Sequence, residues 1–93
     1  MATFLLFATL TPAGLCTVKN HPERILEVNR DVETFGVTVR EQWATLGEFD
    51  FVSIVDAPDE FAMARLSLEL GSRGSAMYRS VAASPIDEFI ASL

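Results

Sequence analysis

Two short segments of this chain are apolar at odd and even positions alike: Thr3-Phe4-Leu5-Leu6-Phe7-Ala8 and Phe51-Val52-Ser53-Ile54-Val55. A β-strand shows successive side chains to opposite faces, so a sheet with one wet face alternates apolar and polar residues. Strands that do not alternate need cover on both sides. At 93 residues and 10.2 kDa the chain has room for a single core, and its few helices can cover only one face.

Composition narrows the class of protein. Hydrophobic residues make up 49% and charged residues 22%, which excludes a disordered chain, and one Cys excludes an internal disulfide framework. Seven basic against thirteen acidic residues leave a net charge of −6, the wrong sign for a surface that neutralises phosphates, so no nucleic-acid partner is expected. The longest apolar runs, Phe4 to Leu10 (interrupted by Thr9) and the stretch around Phe51 to Val55, fall far short of the roughly 20 residues that span a bilayer. The first Lys is Lys19, and the leading apolar run ends in Thr11-Pro12 rather than at a small-residue cleavage site, unlike a signal peptide. The expectation is a mature cytoplasmic protein, one domain over residues 1–93, with no membrane partner.

The pattern predicts a strand over Ala2 to Leu10 and a helical turn from Pro12 to Asn20 capped by Thr11. A helix from Pro22 to Phe35 buries Ile25, Val28, Val32 and Phe35, with Leu26 widening the stripe and Gly36 as the stop. Strands follow at Val37 to Thr45 and Phe49 to Ala57, joined by a short Leu46-Gly47-Glu48 turn. Asp56 and Pro58 open a further helix. Ala62 to Leu70 alternates like a strand, but Ala, Met, Arg, Leu and Glu favour a helix ending at Gly71. A strand over Ser75 to Ala83 and a short helix opened by Ser84-Pro85-Ile86-Asp87 complete the chain. The order βαββαβ plus a terminal helix is that of an α+β, ferredoxin-like sandwich with a four-stranded antiparallel sheet. The doubly apolar strands then predict a homodimer through the sheet faces; the competing arrangement folds the terminal helix, with Ile86, Phe89 and Ile90, over the open face. The broad apolar arc of the Ala62 to Leu70 helix leaves room for higher assembly.

Three strings, His21-Pro22-Glu23-Arg24-Ile25, Leu46-Gly47-Glu48-Phe49-Asp50-Phe51-Val52 and Leu68-Glu69-Leu70-Gly71-Ser72-Arg73-Gly74, resemble the GYD domain family in order and spacing over nearly the whole chain. Where the family pattern has Tyr before Asp, this chain has Phe49. The resemblance implies a small dimeric α/β barrel, related in shape to antibiotic-biosynthesis monooxygenases, from a family largely without assigned activity.

Asp50 interrupts an apolar strand just after the turn, as a strand-end acceptor or as a ligand-binding or proton-transfer group. With Thr45 opposite Asp50, one face would carry Val39, Glu41, Trp43, Asp50, Val52 and Ile54. Trp43 reads first as core, Tyr78 and Arg79 as polar partners that could meet it between sheets, and Arg73 as a cation able to pair with Asp50. His21 reads as a capping or surface residue and Cys16 as a small buried hydrophobe. No metal set and no cofactor is expected. The ligand-binding candidates are therefore Asp50, Trp43, Arg73 and Tyr78, serving a binding or structural module that holds a small apolar or aromatic molecule between sheets. The alternative is a cofactor-independent oxygenase acting on an aromatic substrate in the same cavity. A pocket of roughly 300 Å³ with convergent polar groups would favour ligand or enzyme, and a filled interior would favour structure.

Overall fold

The computed structural model describes residues 1–93. β1 (Ala2–Leu10) leads through α1 (Pro12–Asn20) and α2 (Arg24–Glu33) to β2 (Thr38–Ala44), β3 (Phe51–Ala57), α3 (Glu60–Ser72), β4 (Ala76–Ala83) and α4 (Ile86–Ala91). The sheet order is β2-β3-β1-β4, and every neighbouring pair is antiparallel. Each βαβ unit thus flanks a strand of the other: β1 and β2 enclose β3, while β3 and β4 enclose β1. This is the ferredoxin-like arrangement, α+β with one four-stranded sheet.

Helices pack on one face of that sheet. Phe4 and Leu6 of β1, Val55 and Ala57 of β3, Val32 of α2 and Met63, Leu66 and Leu70 of α3 form a continuous core, in which Val55 and Leu66 are fully buried. The alternation that made α3 read like a strand resolves at helical spacing: Ala62, Met63, Leu66 and Leu70 face inward, while Phe61 and Leu68 face solvent.

Several helix ends differ from the sequence reading. Asp59, not Asp56, caps α3 by accepting the Ala62 N–H at 2.9 Å, because β3 continues through Ala57 and holds Asp56 in the sheet. α3 runs through Gly71, and the left-handed residue is Gly74, with φ of 81°. Leu26 is exposed on α2 rather than part of its buried stripe. The hairpin loop spans Thr45 to Asp50, longer than the expected turn, since Thr45 Oγ1 donates to the Phe49 carbonyl and the Phe49 ring turns back onto Phe7, 4.6 Å between centroids.

α1 sits closer to the sheet end than any side chain would permit. Thr11 donates its N–H to Ser75 O at 3.0 Å and its hydroxyl to Gly74 O at 2.7 Å, and it caps Gly14. A Cβ at Gly14 would overlap the Ser75 carbonyl oxygen.

Candidate functional site

The two faces of the sheet carry two different surfaces. Opposite residues of antiparallel strands share a face, so the register aligns Trp43, Val52, Phe7 and Arg79 in one row, and Glu41, Ile54, Leu5 and Val81 in the next. All lie on the face without helices. Trp43 is 48% exposed, Val81 49% and Met77 68%, with Leu5, Phe7, Val52 and Ile54 half-buried by their neighbours alone. Trp43 is therefore not a core residue: the helices pack against the other side. α4 leaves this face open, and its Ile86, Phe89 and Ile90 are themselves exposed. At one end Asp56 accepts from Thr3 Oγ1 at 2.9 Å and pairs with Arg40 Nε at 2.9 Å, closing the apolar rows with a polar rim. Neither Glu41 on one edge strand nor Arg79 on the other forms an ion pair within the chain.

Val39 leaves the expected row. A bulge between Val39 and Glu41 shifts the register so that Val39 opposes Val55 and packs against the core.

On the helix side a cavity of about 90 Å³ lies beneath α1 and α2. Its walls are largely apolar, among them Ile25, Val28, Val32, Phe51 and Leu70. Polar groups enter as a connected set: Asn29 Nδ2 donates to Gln42 Oε1 at 2.7 Å, Gln42 Nε2 returns a bond to Asn29 Oδ1 at 3.2 Å, and the same amide donates to Ser53 Oγ at 3.2 Å. Arg24, Arg73 and Tyr78 also line it. The volume is well below the roughly 300 Å³ of a typical ligand pocket, so only a molecule of a few heavy atoms would fit.

The four sequence candidates are thus separated. Trp43 lies on the open face and Tyr78 on the opposite one, because Tyr78 opposes Ala8 while Trp43 opposes Val52, residues of opposite parity in the sheet. They do not meet in one pocket within the chain. Arg73 pairs with Asp31 at 2.9 Å and more loosely with Glu69 at 3.7 Å, not with Asp50. Asp50 lies at the end of β3, where its N–H donates to Ala8 O at 2.9 Å and its carboxylate accepts the Leu10 N–H at 2.7 Å. The side chain thereby extends the β1–β3 ladder past the last backbone pair. Asp50→Ala is expected to leave the Leu10 donor without its acceptor and to lower stability by about 1–3 kcal/mol, while Asp50→Asn, which retains an acceptor, costs under about 1 kcal/mol. Urea unfolding of the two variants measures the difference.

Cys16 is exposed rather than buried, because α1 turns Gly14 toward the sheet. His21 is exposed and near Glu23 and Glu27, at 3.3 and 3.1 Å. No group of three His, Cys, Asp or Glu side chains is placed to hold a metal, and no helix is long and apolar enough to cross a membrane.

Burial raises the Tyr78 phenol above its ordinary pKa, partly offset by the nearby positive charges of Arg73 and Arg24. A group held protonated by the fold contributes stability that is complete below pH 10 and is lost as pH rises through its folded pKa. Tyr78 is the chain's sole tyrosine. Its phenolate absorbance is expected to appear at higher pH in the folded protein than in urea, and coincident curves would contradict the burial.

Sequence reasoning missed Asn29, Gln42 and Ser53. The available signal was Ser53, a polar residue in an apolar strand at a helix-facing position.

The sequence profile described as "GYD domain" matches residues 4–93. The chain belongs to the GYD domain family. A relative of matching length from Thermus thermophilus, "Glutamine synthetase and cystathionine beta-lyase binding protein", is 46% identical over 94 residues, covering 100% of this chain and 99% of its own. The crystal structure of TTHA0845, also from Thermus thermophilus, superposes with a TM-score of 0.57 at 15% identity, covering 91% of this chain and 95% of that one, a likeness of fold. The GYD match covers both surfaces described above, the open sheet face and the helix-side cavity.

Proposed function

We propose that this GYD domain is a protein-binding module that self-associates through its open sheet face, as a dimeric α/β barrel, and engages metabolic enzymes as its partners. The observation that carries self-association is the apolar body of two rows, Trp43, Val52 and Phe7 in one and Ile54, Leu5 and Val81 in the other, left uncovered by every helix of the chain. Four strands spaced roughly 4.8 Å apart, with seven residues rising roughly 3.3 Å each, make a face of roughly 450 Å² in projection. A face of that size is about half of one partner's share of a standard interface. The unpaired Glu41 and Arg79 stand on opposite edge strands in adjacent rows, so a two-fold axis along the strands sets the edge strand of one copy over the opposite edge strand of the other and leaves the two charges one row apart.

The enzyme-partner reading rests on the full-length relative, whose name gives two enzymes that it binds. Outside the sheet face, Phe61 and Leu68 of α3 and the apolar residues of α4 remain exposed and available to such partners. Calorimetric titration with purified glutamine synthetase from the same organism is expected to give a saturable heat with fixed stoichiometry. No heat with either that enzyme or its cystathionine β-lyase would overturn the partner assignment, and a monomeric mass in light scattering would overturn self-association.

A further inference from the structure

We infer that the cavity beneath α1 and α2 is a binding site for a short-chain aliphatic monocarboxylate. The inference is independent of self-association, since the cavity lies on the helix side of the sheet.

The uncommitted polar groups on its wall point to one chemistry. The Tyr78 hydroxyl has no hydrogen-bond partner in the chain, although the ring is half-buried. Ser53 is buried, its oxygen accepts from Gln42, and its own proton has no acceptor. Both are hydroxyls on the cavity wall whose proton is not donated within the chain. The wall's charged side chains are Arg24 and Arg73 alone, both cationic, in a protein of net charge −6. Their carboxylate partners Glu27, Asp31 and Glu69 lie outside the lining, and two of those pairs are loose: Arg24 to Glu27 at 3.6 Å and Arg73 to Glu69 at 3.7 Å. Guanidinium edges therefore remain for an anion.

Hydroxyl donors and two cationic groups on the wall of a largely apolar space suit a ligand that is anionic and carries a hydrocarbon body. A carboxylate has that form: its oxygens accept hydrogen bonds from the wall's hydroxyls or arginines, and its chain rests against Ile25, Val28 and Leu70. A cavity of about 90 Å³ limits that chain to a few carbons. The Asn29–Gln42 pair, whose two amides satisfy each other, fixes the Ser53 oxygen and closes one side.

The test uses butyrate, with butyramide as its uncharged analogue, on the full chain. Amide NMR titration is expected to show saturable butyrate shifts at Val28, Ser53 and Tyr78, with butyramide at least about tenfold weaker. Tyr78→Phe removes a hydroxyl and keeps the ring, and is expected to weaken butyrate about three- to tenfold; Arg24→Gln, at a solvent-reaching position, is expected to weaken it further still. Bound butyrate places negative charge beside the phenol, so the Tyr78 absorbance titration moves to higher pH. Absence of saturable shifts, equal binding of butyramide, or shifts centred on Leu5 and Ile54 of the open face would each overturn the assignment. Light scattering on the same samples reads the sheet-face dimer separately.

Discussion

Ile54→Lys is expected to halve the mass of the particle in solution, from twice 10.2 kDa to 10.2 kDa, while leaving the fold intact. Ile54 stands in the middle of the open face, between Leu5 and Glu41 on the neighbouring strands, and no element of its own chain covers it. In a single copy a lysine there extends into water, so thermal unfolding should move little. In a sheet-to-sheet dimer the same ammonium is taken out of water beside Leu5, and the edge-strand Glu41 opposite it does not offset that desolvation, which weakens association by about 3 kcal/mol or more, roughly a hundredfold. Sedimentation or light scattering across a dilution series measures the change. A gentler perturbation addresses the rim: Arg79→Glu sets like charges against each other across the two-fold axis and is expected to weaken the dimer about tenfold, and adding Glu41→Arg restores it. If Ile54→Lys retains the wild-type mass at every concentration, the open face is not the contact.

Gly14→Ala is expected to be the most disruptive single-methyl change in the molecule. The added carbon would overlap the Ser75 carbonyl oxygen, which is backbone and already engaged by the Thr11 N–H, so neither side can yield by a rotamer change. Relief requires α1 to lift, which strains the Thr11 bonds to Gly74 and Ser75 and opens one side of the helix-side cavity. The expected loss is about 2–3 kcal/mol, lowering Tm by about 10 °C or more in a chain of this size. Gly71→Ala provides the contrast. That glycine lies inside α3, has no positive φ, and a Cβ there would meet nothing within 4 Å. Replacing it should stabilise the protein by about 0.5–1 kcal/mol. Calorimetry on the pair separates close approach from helix propensity, and equal effects would remove the packing argument.

Elements whose residues carry their own signal were legible in advance. β1 has its expected bounds because Thr11-Pro12 both ends a strand and starts a helix, and Thr11 does cap α1. α3 was recoverable from helix-forming composition despite a misleading period. The misplaced helix ends, Asp59 for Asp56 and Gly74 for Gly71, came from neighbouring residues of equal local merit. Choosing between the two aspartates depends on how far β3 pairs with β1, and that pairing spans some fifty positions of chain.

The candidate site divides along the same line. Local pattern alone determined that β1 and β3 are apolar on both sides, and therefore that one face of the sheet requires cover from elsewhere, because side-chain alternation is a property of the strand itself. Which face each edge-strand residue occupies was decided by the assembled sheet. A single bulge moved Val39 to the core, and the register put Trp43 and Tyr78 on opposite sides. The contacts of Asp50 with Leu10 and of Asn29 with Gln42 and Ser53 likewise exist only once distant segments are side by side. Their energy comes from geometry between strands and helices, which no single segment encodes.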